Sequence, residues 1–304
     1  MHHCAAATGP NVLAKMLHGG ADETVRSLDG RTTLHYAADW CIHDPQALVL
    51  LSQFRRMINH QSHNGSTVIH DCIAAVEPET NKSESGQRLT QALKLLLDCG
   101  ADITIAREDG TTALHALCET MLALSPAEAT TRLTTLAYLL DKGADPLAKD
   151  DEGRTSLCVL LDRFATSSDE TRKFIADAIS TCSRNMTDND LIAYRYGEQS
   201  HLTFFAYFRV GKLCMTLMER GLDVDRMAPH PKRPSEHFTP LEKFCYATCD
   251  ANIIRDALER TRRLHQLDTH GRGLLHIACR SIESHTASGH RSTVVCWDRH
   301  RSKD

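Results

Sequence analysis

The sequence predicts an all-α repeat array, in which short helix pairs stack in a row and are joined by turn or hairpin fingers. Three observations predict it. Nearly the same ten letters recur, as DGRTTLHYAA from residue 29, DGTTALHALC from residue 109 and HGRGLLHIAC from residue 270. A Gly-Ala-Asp tract recurs at Gly20, Gly100 and Gly143, with Gly-Leu-Asp at Gly221. The two signals also keep one offset: 14 residues separate Gly20 from Leu34, Gly100 from Leu114 and Gly143 from Leu157. Two independent motifs locked at one spacing mark a structural repeat.

The elements follow in chain order. Residues 1–10 read as a flexible N-terminal segment, and residues 11–20 as half a unit that supplies a second helix. Seven units follow, with an apolar register mark at Leu34, Ile69, Leu114, Leu157, Leu202, Leu241 and Leu275. The intervals are 35, 45, 43, 45, 39 and 34 residues, so a basic period near 34 carries insertions. Within a unit each letter has a physical task. Thr32, Thr112, Thr155 and Thr239 stand where a helix needs an N-cap, because a hydroxyl can accept from an orphan amide. Pro240 follows Thr239 at the first helical position, where a missing N–H costs nothing. His35, His70, His115 and His276 come next, placed to bond the capping hydroxyl or a neighbouring unit's backbone. Small residues after them, such as Ala37, Ala38, Ala278 and Cys279, allow close helix approach. Second helices end in LKLLLDCGAD and LAYLLDKGAD, and Gly100, Gly143 and Gly221 stop them in the left-handed conformation.

Four insertions interrupt the pattern, at residues 77–87, 119–132, 163–170 and 226–237. EPETNKSESGQ at 77–87 reads as an exposed polar loop. SPAE at 125–128 is a capping box and predicts a long helix from about Pro126 to Asp141. Ser167 and Glu170 have the spacing of another, opening a helix that runs to about Cys182. The stretch 184–200 reads as an irregular finger. MAPHPKRPSEH at 227–237 holds three prolines and reads as a semi-rigid extended excursion. Residues 285–304 form a polar C-terminal tail. Half a unit at one end and a lone helix at the other predict a segment of something longer.

This pattern resembles the ankyrin repeat, carried here by DGRTTLHYAA, NGSTVIHDCI, DGTTALHALC, EGRTSLCVLL, FTPLEKFC and GRGLLHIAC across roughly residues 11–284. The fifth copy lacks the Thr-Pro-Leu-His text but keeps 19 residues from Leu202 to Gly221. The resemblance implies a solenoid of helix-turn-helix units with β-turn or hairpin fingers. It also implies a non-enzymatic module or scaffold that binds a protein partner through finger tips and the exposed side of each first helix. An alternative is a recognition arm of a larger signalling or ubiquitin-type protein whose catalytic part lies elsewhere. Mapped onto this chain, the exposed slots are Arg26, Leu28, Asp29, Arg31, Tyr36, Asp39 and Trp40 in unit one. Unit three offers Arg107, Glu108 and Glu119, and unit four offers Lys149, Asp151, Arg154, Asp162 and Arg163. Tyr36 and Trp40, four apart on one helix, should present adjacent rings, and aromatic and arginine residues dominate interface hot spots.

Composition fits a packed, interaction-type chain. Of 304 residues 41% are hydrophobic and 24% charged, enough for a core and against wholesale disorder. Aromatics are 5%, suited to small helices packed through Leu, Ala and Cys. A net charge of -4 argues against non-specific nucleic-acid binding. The longest clean apolar run, ALVLL, is far short of a membrane span. The opening lacks the basic and apolar regions of a secretory signal. Twelve scattered cysteines read as reduced, buried side chains, which predicts the cytoplasm or nucleus. No glycine-rich phosphate loop and no catalytic signature is present, and the pairs His115/Cys118 and His276/Cys279 lack the further ligands zinc needs. The expectation is therefore a monomer without enzymatic activity, metal or cofactor.

Overall fold

The computed structural model describes residues 10–40, 56–76, 84–121, 126–184, 186–187, 195–196, 199–200, 202, 211–230, 233–246, 251–262, 265, 271–274 and 276. The chain divides into two compact units, Met1–Met186 and Thr187–Asp304. The predicted segment 1–10 (but for residue 10), Leu275, and the tail 285–304 lie outside the described residues, as does most of the fifth copy's first helix.

Unit 1 contains eight described helices: α1 Pro10–His18, α2 Thr33–Trp40, α3 Val68–Ala74, α4 Glu84–Asp98, α5 Ala113–Glu119, α6 Pro126–Asp141, α7 Ser156–Thr166 and α8 Asp169–Arg184. They pack in two rows. The first helices meet in chain order, α2 on α3, α3 on α5, α5 on α7. The second helices do the same, α4 on α6 and α6 on α8. Pairs α3/α4, α5/α6 and α7/α8 tie the rows together. None of these helices exceeds 16 residues. Short helices are marginal alone, so each depends on its neighbours' apolar faces.

Those faces follow the helical period. On α4 Leu89, Ala92, Leu93 and Leu96 are fully buried, and on α8 Ile175, Ala178, Ile179 and Cys182 repeat the spacing. The register marks Leu34, Ile69, Leu114 and Leu157 are all buried. Four of the five described cysteines of this unit, Cys72, Cys118, Cys158 and Cys182, are buried as well. Among the described residues one buried charge sits on the second-helix row: Arg132 on α6 is 3% exposed, and its Nη1 donates to Thr120 Oγ1 at 2.6 Å. Burial lowers its pKa to about 10.

Two sequence expectations shift, and a third holds. The loop expected over 77–87 gives way to helix at Glu84, so Gly86 is helical. A Cβ there would stand 3.1 Å from Thr131 Cγ2, which is why a glycine sits where α4 meets α6. Thr90 and Thr135 hydroxyls meet at 2.6 Å one turn further on. The cap of α8 also moves by one residue. Ser167 closes α7 by donating to Arg163 O at 2.6 Å, and Ser168, just before Asp169, meets the Thr171 hydroxyl at 3.1 Å. The helix expected from Pro126 runs Pro126–Asp141.

Unit 2 holds β1 Arg195–Tyr196 paired antiparallel with β2 Gln199–Ser200, then α9 Gly211–Glu219. Next come β3 Ala228–His230 and β4 Arg233–Phe238, with α10 Pro240–Tyr246 and α11 Ala251–Arg260. The proline-rich excursion is a hairpin, in register Ala228↔Phe238, Pro229↔His237 and His230↔Arg233. Helix α11 packs on both α9 and α10. Thr239 caps α10 in a full box: its N–H donates to Glu242 Oε2 at 2.9 Å, and Glu242 N–H donates to Thr239 Oγ1 at 3.1 Å. Pro240 occupies the first helical position beside it. Gly221 takes φ +85° after α9, the same left-handed stop as Gly100 at +93° and Gly143 at +95°.

Candidate partner-binding face

The site is built from four fingers in unit 1, residues 27–31, 62–66, 107–111 and 150–154. Each closes on itself. In the third, Arg107 N–H donates to Thr111 O at 2.9 Å and Gly110 N–H donates to Arg107 O at 3.0 Å. The other three repeat this pair of bonds at the same positions. Glycine is required at the fourth place, with φ between +74° and +78°.

The fingers are then bonded to one another. His63 N–H donates to Asp29 O at 2.9 Å, Glu108 N–H to Asn64 O at 3.1 Å, and Asp151 N–H to Asp109 O at 3.0 Å. Below this ladder runs a second one made of imidazoles. Thr67 N–H donates to His70 Nδ1 at 3.2 Å, with the Thr67 hydroxyl at 2.9 Å from the same nitrogen. The opposite nitrogen, Nε2, lies 3.2 Å from Thr111 O in the next finger. A backbone N–H can only donate and a carbonyl can only accept. Nδ1 is therefore bare and Nε2 carries the proton, so the ring is neutral. His35 repeats the arrangement, with Thr32 N at 3.1 Å and Ser66 O at 3.0 Å. His115 repeats it again, with Thr112 N at 3.3 Å and Arg154 O at 3.1 Å. Burial, aided by the Arg107 charge, pushes the His70 pKa down to about 4, in keeping with a neutral ring. His276 departs from this set: it is exposed, and its backbone N–H bonds Gly273 O at 2.9 Å.

Between the fingers and the first helices lies a cleft of about 540 Å³, lined by Asp29, Arg31, Asn64, Asp71 and Arg107 among others. Arg31 spans it. Its Nη2 donates to Asp71 Oδ2 at 2.9 Å, and its guanidinium lies 4.7 Å from the Tyr36 ring centroid. Burial raises the Asp71 pKa although Arg31 pulls the other way. The side chain of Arg107 is half-buried, and its Nε has no acceptor among the described residues.

The sequence-predicted residues distribute as follows. Asp29, Arg31 and Arg107 come together at the cleft. Tyr36 is half-buried beneath Arg31, and Trp40, on the same helix, is half-buried. The side chain of Asp39 lies outside the described set. Arg26 forms an isolated bridge with Thr32 at the base of the first finger and is exposed. Lys149 and Asp151 are exposed on the fourth finger. Arg154 is engaged within that finger, 2.9 Å from Asp150 and 3.2 Å from Glu152. Glu119 is exposed at the end of α5, and Asp162 and Arg163 are half-buried on α7. Leu28, on the first finger, is fully exposed at 101%.

Sequence reasoning missed Asp71, which makes the cleft's one buried carboxylate. Its signal was a charge in NGSTVIHDCI where the first, third and fourth copies carry Tyr36, Ala116 and Val159. It also missed Asn59 and Gln61, which stitch the second finger to the next unit. Asn59 Nδ2 donates to Gly100 O at 3.0 Å, and Gln61 Nε2 donates to Ala106 O at 2.9 Å. Among the described residues no cluster of three metal-ligating side chains occurs, and no helix is long and apolar enough to cross a membrane.

The described residues are mostly helical, and in unit 1 the helix pairs carry a polar finger face. No family model matches the chain. It is 33% identical over 97 residues to the Saccharomyces cerevisiae protein named target of rapamycin complex 2 subunit AVO2. That match covers 32% of this chain and 20% of the yeast protein.

Proposed function

We propose that this chain is an ankyrin-type repeat solenoid, without enzymatic activity, that recruits a protein partner through its finger tips and the exposed side of its first helices. The observation that carries this reading is the doubled ladder. Main-chain bonds fix finger to finger, and buried imidazoles fix each finger to the helix before it. A face held this way is preorganised, so a partner meets it with little ordering cost. The charges on it alternate in sign, from Asp29 and Arg31 to Arg107 and Asp151, which favours specific polar pairing over bulk attraction. The yeast relative's name describes it as a subunit of a complex, which fits a protein partner. The scattered buried cysteines fit a reducing compartment, the cytoplasm or nucleus.

Site-specific photo-crosslinking in cells tests the reading. A photoreactive residue placed at Leu28 or Asp151, both exposed on fingers, should trap one defined protein. The same residue at Lys94 or Lys142, exposed on the second-helix row, should not. Crosslinks confined to the second-helix positions would overturn the proposal.

A further inference from the structure

The cleft between the first three fingers carries an inference that rests on the proposed function and deepens it. Four charged side chains line it, and three are already engaged. Arg31 and Asp71 hold one another at 2.9 Å. Asp29 accepts from the Ser27 hydroxyl. Arg107 is different. Its Nε has no acceptor, and among the described residues no carboxylate lies within ion-pair distance of its guanidinium. Asp71 and Asp109 feel the Arg107 charge from longer range, yet its Nε–H is a donor in this cleft left without an acceptor among the described residues.

We propose that Arg107 receives an acidic side chain from the partner, a glutamate or aspartate of a segment lying across the cleft. The planar guanidinium matches a carboxylate in shape and charge, and a pair formed inside a cleft is stronger than one in open water. Charge also selects carboxylate over phosphate. Asp29 at the rim and Asp71 in the wall repel a dianion more than a monoanion. Arg107 itself is well placed to report occupancy, because its finger is pinned on both sides. Glu108 N–H bonds back to Asn64 O, and Asp151 N–H bonds forward from the next finger to Asp109 O.

The test is a titration of the full chain with three capped tripeptides, acetyl-Gly-Glu-Gly-amide and its Gln and phosphoserine counterparts. The arginine Nε–H resonances are followed by NMR, and Arg107→Gln identifies the signal of interest. The glutamate peptide should shift that signal saturably. The glutamine peptide should bind about tenfold more weakly or worse, as expected for loss of a charge-assisted pair. The phosphoserine peptide should bind no tighter than the glutamate one. Arg107→Lys should retain weakened binding, read from the amides of Ser66 and Ala75 in the cleft wall. Three results would overturn the proposal: equal response to glutamate and glutamine, no response, or a tighter phosphoserine complex. If Arg107→Gln alters the fold, the comparison of peptides on the unmodified chain still decides. A null titration together with finger crosslinks sinks only the carboxylate assignment, whereas crosslinks on the second-helix row sink the broader reading.

Discussion

Three junctions of the first unit place an imidazole at the third position of the helix, and the fourth places a thiol there. At His35, His70 and His115 the ring completes the cap with one nitrogen and reaches the next finger with the other. At Cys158 the cap persists: Cys158 N–H donates to Thr155 Oγ1 at 3.4 Å, with the sulfur 3.9 Å from the same hydroxyl. In the second unit Glu242 completes the cap of Thr239 with a carboxylate. The difference separates two functions that one motif letter appears to combine. Capping needs any acceptor at the third position. Bridging needs a rigid side chain with a donor and an acceptor on opposite edges, and only neutral histidine has both at that reach.

The largest effects should fall on what the junctions share. Leu114, beneath an imidazole junction, and Leu157, beneath the thiol junction, are both fully buried. Leu114→Ala and Leu157→Ala should each cost roughly 2–5 kcal/mol through the cavity left behind. Urea unfolding would check this. A much smaller loss at Leu157 would mean that the thiol junction is poorly packed.

Next come the finger glycines. Gly110 has φ +75°, and a Cβ there would stand 2.8 Å from Asp150 Cα of the following finger. Gly110→Ala should cost about 3 kcal/mol, from left-handed strain plus a backbone collision. The midpoint of thermal unfolding measures it.

The bridge itself comes third. His70→Ala removes the acceptor of Thr67 N–H and the donor to Thr111 O, both in buried surroundings. It should cost roughly 2–3 kcal/mol, the penalty of stranding buried polar groups. Cys158→Ala keeps the backbone bond from Cys158 N–H to Thr155 Oγ1 and should cost less than about 1.5 kcal/mol by the same chemical denaturation. Equal losses at the two positions would collapse the distinction between cap and bridge.

A pH dependence follows from the same ring. The folded His70 pKa is near 4, below the ordinary value of 6.5, chiefly because burial disfavours its charged form. The unfolded chain therefore binds more protons between these values. Stability from this ring is complete above pH 6.5 and is lost as pH falls toward 4, by up to about 1.4 kcal/mol per pH unit. Glutamine caps equally well at this position and does not titrate. Unfolding free energies of His70→Gln should therefore fall less steeply between pH 6.5 and 4.5 than those of the parent chain.

Much of this architecture was legible in the sequence, because its causes are local. The cap threonines, the left-handed glycines and the Pro126 start are each set by one or two neighbours. What stayed hidden depended on partners distant in the chain. Gly86 looked like a loop glycine until Thr131, 45 residues later, was seen against it. Asp71 carried no reading in the sequence, because Arg31, which holds it, lies 40 residues earlier. Of the candidate residues, Arg31 and Arg107 converge on the cleft. Arg154 is used by its own finger, and nothing in its spacing from Asp150 announced that bond.

The smallest predicted effect sharpens the comparison most. Gly153 shares the backbone of Gly110, with φ +74°, yet a Cβ added there meets nothing within 4 Å among the described residues. Gly153→Ala therefore isolates the conformational penalty, about 1 kcal/mol, from the collision that accompanies it at Gly110. The difference between the two variants, read from paired melts, measures how tightly a finger is pressed against the next one. A gap of about 2 kcal/mol would place the ladder's rigidity in finger-on-finger packing. Equal losses would show that the fingers yield to one another, and the preorganised face proposed for partner binding would lose its physical basis.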